Sequence, residues 1–303
     1  MNNSHKVDRS DRYSSRYTRG FLKMLVNDGQ AQTDKYVVQF YNSKSYQGRL
    51  EAIKYLIGVS GKYSFPERIF TDALGDFCSQ VKVYVLKNYD FQKANDPEIQ
   101  SCLADISKND EKIQVRALAM DKLSGLDTAE HHNLFFSSSL LKSSKESASG
   151  LRGLFKLDSV KAYQMAKFRA EGSSGNLDLA IAEVFQAEGN IDDLHFFKAR
   201  LKGRTKFNKI ELIRIYLKIL GKIEIEALIK SHIIFICEDI SLSGNTELVQ
   251  RLIMELYQFI SEHKDFLSRH ADLGAFVNKT IDLLLEKDYL YLKAKKANLQ
   301  RSL

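Results

Sequence analysis

DPEIQSCLADISKNDEKIQVRALAMDKLSGL, residues 96–126, reads as two helices joined by a tight turn. Pro97 stands where a helix begins, because the donor that proline lacks has no partner in a first turn. Ile99, Leu103 and Ile106 follow at helical spacing and share one apolar stripe. Asn109-Asp110 breaks the run, and Val115, Leu118 and Leu123 make a second stripe around Arg116-Ala117. Neither helix is long enough to be stable alone. Each must bury its stripe against its neighbours, so Leu103, Ile106, Leu118 and Leu123 are expected inside.

Working outward, amphipathic segments of similar length stand at 128–141, 158–170, 176–188, 191–202, 206–220, 224–238, 245–261 and 272–286, separated by short Gly, Asn, Asp or Ser breaks. Toward the N-terminus, Asp34 is read as the cap of a helix carrying Val37, Val38, Phe40 and Tyr41. A second helix carries Leu50, Ile53, Leu56 and Ile57. Ser64 and Pro66 open a third, with Ile69, Phe70, Ala73, Leu74 and Phe77 on one side. The Ser-rich stretch 137–150 is read as a helix turn, because Leu140, Leu141, Leu151, Leu154 and Leu157 surround it. Residues 1–19 have hardly an aliphatic side chain and are read as a flexible leader. FLKMLV at 21–26 is the one hint of a strand.

The Asp-Pro entry, the Asn-Asp turn and the arginine of the second helix make 96–126 similar to a HEAT-type repeat. In such repeats the turn Asp and the helix Arg bind neighbouring backbone or each other, which implies structural roles for Asp110 and Arg116. The expected fold is therefore all-α, a HEAT/ARM-like superhelical stack of antiparallel helix pairs. Residues 1–29 are expected to be a leader with a short remnant of a preceding domain, and 30–303 one helical-repeat domain.

Composition narrows the function classes. The formal charge of +7 comes from 45 basic residues interspersed with 38 acidic ones. The densest basic stretches are 198–209 (Lys198, Arg200, Lys202, Arg204, Lys206, Lys209) and 293–301 (Lys293, Lys295, Lys296, Arg301). Either is the solvated face of a helix or an electrostatic footprint for an acidic partner. Cys78, Cys102 and Cys237 lack paired spacing, which argues against a disulfide framework or zinc knuckle. The polar N-terminus lacks the apolar core of a signal peptide, and no apolar run reaches spanning length. The chain is expected to stay in the compartment where it is made, away from membranes.

The search for reacting groups finds none of the usual constellations. His5, His131, His132, His195, His232, His263 and His270 include no pair four residues apart, so a His-Glu-x-x-His zinc site is absent. There is no Gly-x-Ser-x-Gly elbow, and Gly172-Ser173-Ser174-Gly175 lacks the lysine of a phosphate loop. Asp192-Asp193 suits a helix N-terminus, and Glu238-Asp239 a solvated helix end. Phe135-Phe136 and Phe196-Phe197 read as core contacts rather than stacking platforms. No catalytic residue, cofactor site or metal ligand is assigned.

VVQFYNSKSYQGRLEAIKYL at 37–56 resembles the junction that opens the C-terminal helical domain of the aminopeptidase N family of zinc metallopeptidases, particularly larger bacterial members. Gln39, Phe40, Asn42, Tyr46, Arg49, Glu51 and Ala52 carry the register. Within 157–201, Leu179 to Phe185, Gly189, Asp192-Asp193-Leu194 and Phe196-Phe197 are similar to a later hairpin of that domain, so the resemblance spans about residues 30–290. The catalytic half of the family, with its exopeptidase loop and zinc motif, has no counterpart here. The resemblance implies a fragment or detached domain that is not a peptidase by itself, with zinc belonging to a separate catalytic domain. In the family such a domain caps the active site and shapes peptide access. The implied partners are a peptide or a catalytic peptidase domain, with Lys198, Arg200, Arg204 and Lys206 as candidate contacts. The charge keeps a second expectation open, a freestanding module for nucleic acid or an acidic protein.

Overall fold

The computed structural model describes residues 29–66, 68–91, 97–126, 129–202, 206–242 and 244–301, without the side chains of 206–208, 242 and 287–301. The fold is all-α: among the described residues there are sixteen α-helices, two 3-10 turns and no strand. They form two compact units that divide between residues 128 and 129. The expected strand at 21–26 and the leader lie outside the described residues.

The first unit contains α1 (Gly29–Asn42), α2 (Tyr46–Val59), α3 (Arg68–Leu74), α4 (Ser79–Asn88), α5 (Pro97–Asn109) and α6 (Ile113–Leu123). They pair as α1–α2, α3–α4 and α5–α6, and the second helices also pack in a row, α2 on α4 and α4 on α6. Leu103, Ile106 and Leu123 are buried as expected. Leu118 is only half-buried; α6 rolls so that Val115, Ala119, Met120 and Leu123 form its core face.

Two expectations near the N-terminus need correction. Helix α1 begins at Gly29, so Asp34 lies inside it and accepts a hydrogen bond from Gln30 at 2.9 Å instead of capping. Its inward face is Gln32, Thr33, Tyr36 and Phe40, while Val38 and Tyr41 are exposed. Phe77 lies beyond α3 and is 84% exposed, with the Arg49 guanidinium 4.3 Å from its ring centroid.

A side-chain ladder links the hairpins of this unit. Arg49, Lys82 and Arg116 are each the fourth residue of their helix, α2, α4 and α6. Arg49 grips Asp76 through two bonds of 2.6 and 3.0 Å, and Lys82 reaches Asp110 at 2.6 Å. Each aspartate also accepts the backbone N–H two residues on, from Cys78 and Lys112, which shapes the turn before the next helix. Arg116 donates to the Asp110 carbonyl, and Arg49 to those of Ser43 and Lys44. A basic residue at one helix position thus satisfies the turn of its own hairpin or that of the next.

The second unit contains α7 (His132–Ser139), α8 (Ser144–Leu157), α9 (Ser159–Ala170), α10 (Asn176–Glu188), α11 (Leu194–Leu201), α12 (Lys206–Ile223), α13 (Glu226–Leu242), α14 (Thr246–Glu262), α15 (Lys264–Arg269) and α16 (Ala271–Arg301). Alternate helices pack in a row, α8 on α10, then α12, α14 and α16. Local chemistry sets the starts: the side chains of Ser143, Asp158 and Asn245 accept first-turn N–H groups, and Asn190 with Asp193 forms a capping box.

The Ser-rich stretch is helical over most of its length. Ser147, Ala148, Ser149, Gly150 and Gly153 are buried in α8, and their small size lets α7 approach closely. A Cβ on Gly150 would stand 2.6 Å from the Ser139 backbone nitrogen, and one on Gly153 2.3 Å from the Phe135 ring. Gly150→Ala is expected to destabilise the chain by about 1–3 kcal/mol, because the obstruction is backbone and cannot swing away. Chemical denaturation measures it; an unchanged midpoint would mean that α7 and α8 are farther apart.

Candidate functional site

The basic residues singled out at 198–206 do not form an open cluster among those described. Arg200, on α11, donates to the Ala170 and Glu171 carbonyls and pairs with buried Asp178 at 3.1 Å. Arg169, on α9, does the same for the Ser139 and Leu141 carbonyls. Both arginines cap the C-terminal end of a preceding helix, where carbonyls lack partners and the dipole favours a cation. Arg200 is therefore a helix clamp. Lys198 packs 5.6 Å from the Phe235 ring centroid. Arg204 lies outside the described residues; Lys206 opens α12, its side chain likewise outside them, as are those of Lys293 to Arg301.

Several other charged groups in described positions belong to internal clasps. Arg152 holds Glu183 at 2.6 Å, Lys209 holds Asp239 at 2.6 Å, and Arg214 holds Glu255 at 2.7 Å. Asp193 accepts from Tyr163 at 2.8 Å and from the Asn190 N–H at 3.0 Å. No group of three His, Cys, Asp or Glu side chains comes together among the described residues. None of the three cysteines forms a disulfide, and burial pushes the Cys102 thiol up.

A buried polar pair of the second unit is Tyr216 and His232, which hydrogen-bond to each other. Burial, with Lys198 adding repulsion, pushes His232 down to about 4, while burial raises Tyr216. The unfolded chain binds a proton at His232 near pH 6.5 and the folded chain does not. Stability is therefore expected to fall as pH drops from about 6.5 toward 4, by up to about 3 kcal/mol. Denaturation midpoints of the wild type and His232→Gln against pH test this; the variant should lose that part of the slope.

An open surface built in repeat register lies in the first unit. A groove of about 400 Å³ runs along α4, with α2 and α6 as its walls. Leu50 of α2 and Val83 of α4 give it a half-buried apolar floor. Lys54 and Lys87 are each the ninth residue of their helix, and Gln80 and Gln114 each the second. The lining thus has a cation rung and an amide rung, about 10 Å apart along the helices at 1.5 Å per residue. Lys54 lies 5.6 Å from the Tyr84 ring centroid, and the groove lining contains no carboxylate. Primary amides offer both a donor and acceptors, the complement of a peptide bond.

Sequence reading missed this groove because the candidates were sought where basic residues are densest. A signal was present: Gln47-Gly48-Arg49, Gln80-Val81-Lys82 and Gln114-Val115-Arg116 recur every 33 or 34 residues. Comparison with protein-family models, with curated proteins and with solved structures finds no match.

Proposed function

We propose that this chain is a non-catalytic helical-repeat interaction module, HEAT-like and superhelical in arrangement, whose first unit receives an extended segment of a partner protein. The observation that carries the reading is the groove along α4, where equivalent positions of consecutive helices present Lys54, Lys87, Gln80 and Gln114 with no opposing carboxylate. The ladder through Arg49, Asp76, Lys82 and Asp110 supports the HEAT-like part, since it repeats one clasp between successive hairpins. The resemblance to the C-terminal domain of zinc aminopeptidases adds a peptide, or a separate peptidase domain, as the class of partner. Its residues serve the α1–α2 hairpin here: Gln39 donates to the Gly48 carbonyl at 3.0 Å and Arg49 to the turn. The nucleic-acid alternative loses weight, because Arg200 turns inward and Lys198 lies against Phe235.

Selection of random displayed peptides on the full chain, repeated on Val83→Trp, tests the reading. Val83 is half-exposed on the groove floor, so the indole fills the groove while the helix is kept. Peptides are expected to enrich on the wild type and at least tenfold less on the variant. No enrichment, or equal enrichment, overturns the groove. Zinc-dependent hydrolysis of aminoacyl anilides by the purified chain would overturn the non-catalytic part.

A further inference from the structure

Resting on that reading, the geometry points to an acidic peptide as the occupant: we infer that the α2–α4–α6 groove binds an extended chain laid across the helices, with carboxylates on Lys54 and Lys87 and main-chain amides on Gln80 and Gln114. Charge complementarity carries the choice. The groove lining holds two ammonium groups and no carboxylate. Elsewhere in this unit, Arg49 and Lys82 are already closed on Asp76 and Asp110. In α2 and α4 the groove is therefore where the cations not closed on an aspartate stand.

The spacing of the rungs defines the ligand further. Packed helices stand about 8–10 Å apart, which three residues of extended or polyproline-type chain span at 3.1–3.4 Å each. Lys54 and Lys87 occupy the same position on adjacent helices. Acidic residues three apart along the peptide match them, and in a polyproline-type chain such residues share one side. The peptide backbone then runs over Leu50 and Val83, toward the amides of Gln80 and Gln114.

A nucleic-acid strand fits less well. Sequence-independent binding of a polyanion needs a longer basic track and aromatic faces free to stack. Here there are two lysines, and the groove's one ring, Tyr84, has the Lys54 ammonium over it. The amide rung has no use for phosphate beyond donation, whereas it meets both halves of a peptide bond.

The test uses the full chain and fluorescein-labelled peptides of repeating Glu-Gly-Ser, with Gln-Gly-Ser and Lys-Gly-Ser repeats and a 12-mer of deoxythymidine as comparisons. Fluorescence anisotropy is recorded at 20 and 200 mM salt. The Glu peptide is expected to bind at least tenfold more tightly than the Gln peptide at low salt, and the difference to shrink at high salt. Lys54→Glu with Lys87→Glu should reverse the preference toward the Lys peptide, which loss of folding cannot do. Gln80→Ala with Gln114→Ala should weaken the Glu and Gln peptides by the same factor. Equal binding of all three peptides, abolished by Val83→Trp, overturns the acidic preference and leaves the interaction module standing. No peptide binding at all overturns both. Tighter binding of the oligonucleotide than of the Glu peptide, lost in the charge-reversed variant, reassigns the groove to nucleic acid.

Discussion

Replacing Arg49 by methionine is expected to lower the stability of the chain by about 3–5 kcal/mol, the range for breaking a buried ion pair by removing one partner. The guanidinium is 9% exposed and Asp76 3%, and they are joined by two bonds in the planar geometry that suits a carboxylate. Methionine keeps the volume and loses the charge, so the deficit reports electrostatics and hydrogen bonding rather than a cavity. Two turns are affected together, since Arg49 also donates to the Ser43 and Lys44 carbonyls. Lys54→Ala is the control: it sits five residues along α2 from Arg49, in the groove, and should change stability by no more than about 0.5 kcal/mol. Chemical denaturation of the two variants measures the contrast. Equal midpoints would mean that the Arg49–Asp76 clasp is exchanged for water at little cost and that the ladder does not hold the hairpins in register.

The sequence was legible where apolar spacing decided the outcome. Helices at 97–109, 159–170, 176–188 and 246–262 fall within a residue or two of the amphipathic segments, because a stripe such as Leu248, Leu252, Leu256 and Phe259 has one efficient burial. It was misleading where small polar residues form the core. Ser147, Ser149 and Gly150 look like a surface turn in a hydropathy reading, yet in α8 they are what allows another helix backbone within contact. Faces were missed by a partial rotation at α1 and α6: in α1 Gln32 and Thr33 are buried while Val38 is not, and in α6 Ala119 and Met120 take the core position expected of Leu118.

The candidate site was less legible for a different reason. Charge density along the chain says nothing about which cations are already paired, and Arg200 shows the consequence. Its neighbours in sequence are basic, but in space it faces Asp178 and two helix-terminal carbonyls. Lys54 and Lys87 stand alone in sequence, and only the stacking of α2 on α4 makes them a pair. Periodicity between hairpins, rather than local composition, was the available clue.

Phe197→Ala is expected to cost about 3–5 kcal/mol, from lost burial and the cavity left behind. Phe197 is fully buried on α11 and stacks on Tyr216 of α12, with ring centroids 4.8 Å apart and planes 7° from parallel. It sits within a continuous run of ring contacts that begins at Tyr163, passes through Phe185 and Phe196, and ends at His232. Helices α9 to α13 each contribute to this run, so one truncation loosens several packing partners at once. The consequence reaches the imidazole. With the ring gone, water gains access to Tyr216 and the desolvation that holds His232 near 4 relaxes, moving it back toward 6.5. Histidine proton titration by NMR in the variant, alongside its denaturation midpoint, measures both effects. Phe197→Leu, which restores most of the volume, should recover most of the stability and leave His232 depressed. A stability loss in Phe197→Ala with an unmoved His232 titration would show that the imidazole is shielded by α13 alone and that the aromatic run does not transmit packing between the hairpins.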